Sequence, residues 1–440
     1  MFFSDQNINK RIVNYSLILS CFYLVVRIID NVILQMNSLG DEWFFIRDLS
    51  FYLDNGYYLS VLNGFSIPIT ILSSWIFNFT GDLSLSLRLS NTFSNFILII
   101  YLFYRKDLVK NDFKKIFTIF LFMLIGTMGG MFTGTNDSIF NASLVIIFSE
   151  IYLHIRKSKS NNIIMVIAFT SCILSRPHFI IYLPMVFLSL VILYVIRNGW
   201  IVKNIFSSIS INFFTSIILV VLFNYPKIIE SNFKHNQGNY LPEFLFFTYS
   251  DKSGTYKTND PGFNWTQWHF YSQMVSNQSG NYLFAPVVEW NEVQEFKEKN
   301  TDYSLPSSYQ EYLQNHPLSV IKRFPFSIIE ISLMSIRHLG LFLFMIPAWL
   351  YYKINNKAFD SSIFISILIL STIFIWALIW PRYIDNRWLV SIYIMVLIMV
   401  TNKNNFVPHI LEKKHLMLNI IIMDFITVWA LWKWKIFLHI

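Results

Sequence analysis

The stretch GDEWFFIRD, residues 40–48, follows the first long apolar segment of the chain. It joins two adjacent carboxylates, Asp41 and Glu42, to three large apolar residues and an Arg-Asp pair. In a helix, Asp41, Phe45 and Asp48 share one face, because residues three and four apart are neighbours there. An amphipathic acidic helix at a bilayer boundary suits a base that acts on a membrane-bound substrate. A solvated loop that only keeps the end of the first helix in water is the alternative interpretation.

The composition places the chain in a membrane. Of its 440 residues, 54% are hydrophobic and 14% are charged, and the mean hydropathy is +0.47. A soluble domain cannot bury so much apolar side chain. The net charge of +8 does not indicate a nucleic-acid partner, because the basic residues cluster between apolar segments, as they do when they set membrane orientation. The sequence therefore predicts an all-α polytopic membrane protein that binds no nucleic acid.

The apolar runs predict about eleven transmembrane helices, since one span needs roughly 20 apolar residues. Basic residues occupy every second loop, on the side of Lys10 and Arg11, which predicts a cytoplasmic N-terminus. Two large loops then lie outside: residues 35–90, with amphipathic surface helices, and residues 226–325, a folded insertion. We expect residues 1–440 to form a single integral membrane domain. The predicted spans lie near 12–26, 91–104, 116–132, 139–155, 162–175, 178–196, 205–225, 326–350, 361–380, 388–401 and 415–432.

Charged residues in the predicted outer loops form a candidate site for a phosphate-bearing lipid. An arginine binds phosphate through two parallel hydrogen bonds, and a carboxylate can deprotonate an attacking hydroxyl group. Asp137 could also be a simple helix cap, and Arg382 and Arg387 could be interfacial anchors beside tryptophans. No spacing of His, Asp and Glu matches a metal motif of known geometry, so no metal ligand is assigned. The candidates are Asp41, Glu42 and Asp137 as catalytic carboxylates, and Arg47, Arg176, His178, Arg382 and Arg387 as phosphate ligands.

Residues 40–95 carry a pattern known from one enzyme superfamily. An Asp-Glu pair follows the first span, a break at Gly56 ends one surface helix, and Pro68 opens the next. The stretch from Phe79 to Leu89 then leads into the second span. This order resembles the first extracytoplasmic loop of the GT-C superfamily of polyprenyl-phosphate-dependent glycosyltransferases. The likeness is to the bacterial branch that contains the aminoarabinose transferases and the protein O-mannosyltransferase-like enzymes.

Later positions extend the resemblance, and one departs from it. Asp137 matches a second acidic residue in the next outer loop of the family, and Tyr312–Pro317 resembles the end of its long loop. The turn Pro381–Tyr383 resembles its late Arg-Tyr turn. The aminoarabinose branch has an acidic-basic pair before the proline of the second surface helix, whereas this chain has Ser66 and Ile67 there. That difference puts the same sugar in doubt.

The resemblance implies a reaction. A sugar would pass from a polyprenyl-phosphate carrier to an acceptor hydroxyl on a glycan, lipid or protein, with inversion of the anomeric carbon. Asp41 would be the general base, assisted by Glu42 or Asp137, while Arg or His side chains hold the leaving phosphate. A divalent metal stays an open question. The enzyme would be a multi-pass protein of the bacterial inner membrane with its active site on the extracytoplasmic side.

Two other functions fit a chain of this class. An O-antigen or capsule polymerase also has many spans and one long outer loop, and its signature would be arginines in that loop. A lipid-linked sugar flippase or transporter would have charged residues inside its spans and internal repeats. The sequence has no visible repeat, and its predicted spans are nearly free of charge. The acidic pair after the first span therefore favours the transferase.

Overall fold

The part of the chain that the structure describes is built from α-helices. No strand occurs in the part of the chain that the structure describes, so the predicted all-α class is confirmed. The structure is a computed structural model, and it describes residues 6–35, 42–109, 111–156, 158, 160–176, 179–197, 200–233, 265–279, 288–306, 309–357, 360–379, 386–402 and 409–437.

The helices are numbered here in chain order. A π-helical turn, Ile29–Leu34, continues the first of them, and a short 3-10 turn, Asn386–Leu389, precedes the helix that begins at Val390. Their bounds are α1 Gln6–Ile28, α2 Glu42–Asn63, α3 Ile67–Thr80, α4 Leu83–Tyr104, α5 Lys114–Thr127, α6 Asp137–Ile155, α7 Asn162–Ser175, α8 Phe179–Arg197, α9 Trp200–Phe223, α10 Tyr225–Phe233, α11 Trp265–Ser279, α12 Trp290–Lys299, α13 Tyr309–Asn315, α14 Pro317–Leu339, α15 Phe342–Asn355, α16 Ser361–Ile379, α17 Val390–Thr401 and α18 His409–Phe437.

The two amphipathic pieces predicted within residues 35–90 are the helices α2 and α3. Gly56 interrupts α2 with a positive φ of 73°, a conformation that a side chain disfavours. Pro68 lies in the first turn of α3, where its missing N–H costs no helical hydrogen bond. Gly81 ends α3 in the left-handed region, and the Asp82 side chain then accepts from the Leu85 N–H at 2.8 Å and caps α4.

The number of full-length spans is smaller than predicted. Five helices of the described residues are long and apolar enough to cross a membrane, and the broken pair α14 and α15 makes six if it counts as one span. The predicted count of about eleven is therefore wrong for these residues. Several predicted spans are short apolar helices such as α7, whose 14 residues rise about 21 Å against a hydrocarbon core of about 30 Å. Length and composition thus fit an all-α membrane protein with five or six such helices.

The chain divides into two compact units. One comprises Met1–Tyr249, Ser335–Leu370 and Arg387–Ile440, and the other comprises Ser250–Met334 and Ser371–Asn386. The second unit has its own apolar core, so part of the predicted long loop is folded. The buried residues of that core are Trp268, Phe270, Val288, Trp290, Val293, Leu305, Tyr312 and Val320.

Within the first unit, α6 carries a buried carboxylate near each end. Asp137 and Glu150 are separated by about 20 Å along the helix axis. Glu150 accepts hydrogen bonds from the Tyr101 hydroxyl at 2.8 Å and the Asn161 N–H at 2.7 Å, and it pairs with Arg105. The connection after α4 and the connection after α6 therefore meet at one end of α6, and the candidate site lies at the other.

Candidate functional site

A buried ion pair fixes the start of α2. Glu42 and Arg88 are 0% and 2% exposed, and the guanidinium donates from Nε to Oε1 at 2.7 Å and from Nη2 to Oε2 at 2.8 Å. The Ser84 hydroxyl and the Gly134 N–H also donate to Oε1, at 3.0 and 3.2 Å. Two parallel hydrogen bonds hold a carboxylate and a guanidinium in a fixed orientation. Glu42 thus ties α2 to α4 and to the turn that precedes α6.

A polar stripe on α4 supplies these contacts. It consists of Ser84, Arg88, Asn91 and Asn95, whose spacings of four, three and four residues place them on one helix face. Asn91 donates to two backbone carbonyl groups of residues 128–136, and Asn95 donates to a third at 2.9 Å. The turn that leads into α6 is therefore bound along its length to α4.

Two glycines in this turn leave room for charged side chains that pass close to the backbone. A Cβ atom added to Gly134 would lie 2.6 Å from Oε1 of Glu42, closer than real Cβ contacts come. A Cβ atom added to Gly130 would overlap the side chain of Arg387. A side chain at either position would force the side chain of Glu42 or Arg387 to move.

Asp137, the first residue of α6, lies between two arginines. The carboxylate is 1% exposed, with Arg176 Nη2 at 2.9 Å from Oδ1 and Arg387 Nη1 at 3.2 Å from Oδ2. The Thr135 hydroxyl donates to Oδ2 at 2.7 Å, and Arg176 Nε donates to the Asn136 side-chain oxygen at 2.5 Å. The side chains of Arg176 and Arg387 are 13% and 24% exposed. We call Asp137, Arg176 and Arg387 the Asp137 cluster; it carries one positive charge in excess.

Asparagine side chains bring the arginine-bearing segments to α6. Asn141 Nδ2 donates to the Arg387 carbonyl at 2.9 Å, and Asn141 Oδ1 accepts from the Ser391 N–H at 3.2 Å. Asn136 Nδ2 donates to the Ser175 carbonyl at 2.5 Å, at the end of α7. These contacts position both guanidinium groups through the backbone next to them.

A second buried carboxylate on α2 stands apart from both ion-paired sites. Asp48 is 3% exposed, and its Oδ1 lies 3.3 Å from Nη2 of Arg47. Its Oδ2 is buried and has no hydrogen-bond partner within the described chain. Burial raises the pKa of Asp48 to about 6, although Arg47 acts to lower it. Arg47 is 40% exposed, and its guanidinium lies 5.7 Å from the ring centres of Trp43 and Phe44.

The structure joins some of the predicted site residues and separates others. Asp137, Arg176 and Arg387 meet at the start of α6. Glu42 is instead engaged by Arg88, and the contacts of Arg47 described above lie within α2. The predicted residues Asp41, His178 and Arg382 lie outside the part of the chain that the structure describes.

Two features of the polar interior were missed from the sequence. The stripe on α4 could have been recognised from its helical spacing in an otherwise apolar segment, although its partners could not. Glu150 lies inside a predicted span that was expected to be nearly free of charge, yet it is fully buried and paired with Arg105. A buried charge of this kind is retained because its hydrogen-bond partners offset the cost of desolvation.

The Asp137 cluster has the chemistry of an anion site. Guanidinium groups donate in a planar fork that matches two oxygens of a phosphate or carboxylate. Among the residues that the structure describes, no group of three or more His, Cys, Asp and Glu side chains could hold a metal ion. The positive charge that the structure shows at this site is carried by the side chains of Arg176 and Arg387.

Comparison of the sequence with models of protein families gave no match, and comparison with curated proteins gave none. The functional interpretation therefore rests on the residues of this chain and their geometry.

Proposed function

We propose that the protein is a membrane glycosyltransferase that moves a sugar from a polyprenyl-phosphate carrier to an extracytoplasmic hydroxyl group. The observation that carries the proposal is the Asp137 cluster, in which two partly exposed arginines converge on one buried carboxylate at an end of α6. Excess positive charge at the end of apolar helices favours a phosphate group at the membrane boundary. The resemblance of residues 40–95 to the GT-C superfamily supports the same reaction.

The two arginines act on the leaving group. Arg176 and Arg387 donate hydrogen bonds to the phosphate of the donor, while Asp137 keeps their guanidinium planes in place. Negative charge grows on the phosphate as its bond to the anomeric carbon breaks, and preorganised donors stabilise that charge in the transition state. The acceptor hydroxyl attacks from the opposite side of the sugar ring, which inverts the anomeric carbon.

Glu42 serves as an anchor in this proposal. Its carboxylate already accepts hydrogen bonds from Arg88, Ser84 and the Gly134 N–H, so the carboxylate is engaged by donors of the protein itself. It holds α2 against α4 and against the turn that leads to the Asp137 cluster. Asp41, the residue before it in the sequence, stays the sequence-based candidate for the general base.

A lipid-linked sugar flippase is the second candidate. Carboxylates lie within three of the candidate spans, Asp30 in Lys10–Leu34, Glu150 in α6 and Asp424 in α18, and such residues often mark a transport path. Glu150, however, is held by Tyr101, Arg105 and the Asn161 N–H, as a structural group would be. A flippase would move the labelled lipid across the bilayer and leave its sugar in place.

The test uses the purified protein in vesicles that contain undecaprenyl phosphate carrying radiolabelled glucose, mannose or aminoarabinose. A membrane extract supplies the acceptors. We expect the label from one donor to leave the polyprenyl lipid and enter a new product. Label that stays in the lipid with every donor would refute the transferase, and label that only changes leaflet would establish the flippase.

Arginine variants then test the phosphate site. Arg387→Gln should raise the apparent donor KM about 10- to 100-fold, because a hydrogen bond to a charged group is lost. Arg387→Lys should restore only part of the affinity, since lysine lacks the planar fork. Arg156→Gln, at the opposite end of α6, is the matched control and should leave the KM unchanged. An unchanged KM in Arg387→Gln would contradict the assigned role.

A further inference from the structure

Asp48 is a buried acid that neither ion-paired site uses. Glu42 and Asp137 are also buried, but each is engaged by at least one arginine at 3.2 Å or less. Asp48 has a longer contact, 3.3 Å, to an arginine that is 40% exposed, and its second oxygen has no partner in the described chain. A buried carboxylate that is poorly paired destabilises the fold. Asp48 therefore does not stabilise the protein, and its burial points to a role other than stability.

Arg47 is the charged group that influences the pKa of Asp48, and the helices of the described chain that pack against α2 bring no other charged group to it. These elements are α3, α4 and α10, and α3 carries no charged side chain. The charged residue of α4 is Arg88, which is bound to Glu42. The charged residues of α10 are Lys227 and Glu230, and Glu230 accepts a hydrogen bond from Tyr58 at 3.3 Å.

The position of Asp48 connects it to the acidic motif of the first loop. In the sequence, residues 41, 45 and 48 are spaced four and three apart, which is the spacing of one helix face. Asp48 lies outside the candidate spans, near the start of the segment of residues 40–95 that bears the resemblance to the transferases. A carboxylate that gains a proton more readily than usual is suited to accept one near neutral pH, and burial raises the pKa of Asp48 in this direction.

We propose that Asp48 is the proton acceptor of the glycosyl transfer, an inference that rests on the proposed function. The acceptor oxygen forms a bond to the anomeric carbon while the bond from that carbon to the phosphate oxygen breaks. The polyprenyl phosphate leaves with the electron pair of that bond. The hydroxyl proton moves to Oδ2 of Asp48, directly or through one water molecule, and later passes to solvent. Glu42 and Asp137 keep their protein partners throughout.

The experiment compares the wild-type protein with Asp48→Asn, Asp54→Asn and Asp41→Asn. The probe is undecaprenyl phosphate carrying radiolabelled mannose, or whichever labelled sugar the wild-type protein transfers. Initial rates between about pH 5 and pH 8 give kcat and the donor KM, and thermal melting in detergent checks that each variant is folded. Asp54→Asn is the matched control, because Asp54 is an exposed aspartate on the same helix.

Asp48→Asn should lower kcat by about 10²- to 10⁴-fold and leave the donor KM within about twofold. The wild-type rate should fall as the pH drops below about 6, because the base must be unprotonated, and the residual rate of Asp48→Asn should lack this fall. Asp54→Asn should behave as the wild type does.

Several outcomes would overturn the inference. If Asp48→Asn transfers sugar at the wild-type rate, or if its rate still falls below about pH 6, Asp48 is not the proton acceptor. Loss of transfer in Asp41→Asn with normal transfer in Asp48→Asn would assign the proton to Asp41. If Asp48→Asn does not fold, a wild-type rate that is flat across the same pH range overturns the proposal. A wild-type protein that transfers no sugar refutes the proposed function itself.

Discussion

At the scale of single residues, Glu42 and Asp48 lie on the same helix and meet opposite surroundings. Glu42 faces a guanidinium with two matched hydrogen bonds, whereas Asp48 has one long contact to an exposed arginine. A buried carboxylate therefore anchors the helix at position 42, whereas at position 48 it is desolvated and poorly paired. The following stability predictions separate the two roles.

Glu42→Gln should destabilise the protein by about 3–5 kcal/mol, because Arg88 stays buried without a countercharge. Thermal melting in detergent measures the loss. The double variant Glu42→Gln with Arg88→Met should recover a large part of it, since no buried charge remains. A single variant that melts as the wild type does would contradict the anchoring role.

Asp48→Asn should show the reverse effect on stability. Burial raises the folded-state pKa of Asp48 to about 6, so the protonated carboxyl group gives its full contribution to stability below the ordinary pKa, and this contribution is lost as the pH rises through about 6. At pH 7 the amide should therefore stabilise the protein by up to about 3 kcal/mol, the equivalent of two pKa units. Melting temperatures at pH 4 and pH 7 measure this, and the gain should vanish at pH 4. A gain of equal size at both values would contradict it.

At the scale of elements, the polar stripe of α4 organises the site. Asn91 and Asn95 hold residues 128–136, and this turn delivers Asp137 to its two arginines. Asn91→Leu should therefore speed amide hydrogen exchange in residues 128–136. It should also raise the donor KM, although residue 91 itself is not assigned a contact with the phosphate. Phe93→Leu, at a half-exposed position of the same helix, is the control. Unchanged exchange in Asn91→Leu would show that the stripe does not support the turn.

Much of the helix pattern could be predicted from the sequence, because its signals are local. Gly56 and Gly81 interrupt or end helices, and Pro68 opens one, where a single residue fixes the backbone. The pairing of Glu42 with Arg88 could not be predicted, since it depends on how two helices pack. The Asp137 cluster was foreseen only as a shared face, and its geometry required the contacts of Asn141.

At the scale of the whole molecule, apolar runs overstated the number of spans. A run of apolar residues indicates that a segment is buried, but a short helix packed among other helices is buried as fully as a membrane span. The helix α17, for example, has only 12 residues, and all of them are buried. Charge at the helix ends is more informative. Arg105 and the Asn161 N–H both contact Glu150, and Arg156 donates to the Asp107 carbonyl group at 2.8 Å, so the connections that follow α4 and α6 meet at the Glu150 end of α6.

Reporter fusions test that arrangement. Fusions after Lys115 and after Arg156 should both report the cytoplasm, and a fusion near Asn277 should report the opposite side. Alkaline phosphatase and a fluorescent protein provide complementary readouts. If the first two fusions report opposite sides of the membrane, the contact between these connections in the structure is contradicted. If the fusion near Asn277 reports the cytoplasm, the extracytoplasmic location proposed for the site is wrong.

The central claim is that the Asp137 cluster binds the phosphate of a polyprenyl donor during sugar transfer. The most direct measurement is the release of undecaprenyl phosphate and the transfer of labelled sugar by the wild-type protein and by the double variant Arg176→Gln with Arg387→Gln. We predict transfer by the wild type, and loss of transfer with much weaker binding of undecaprenyl phosphate in a folded double variant. Equal transfer and equal binding by the two proteins would contradict the claim.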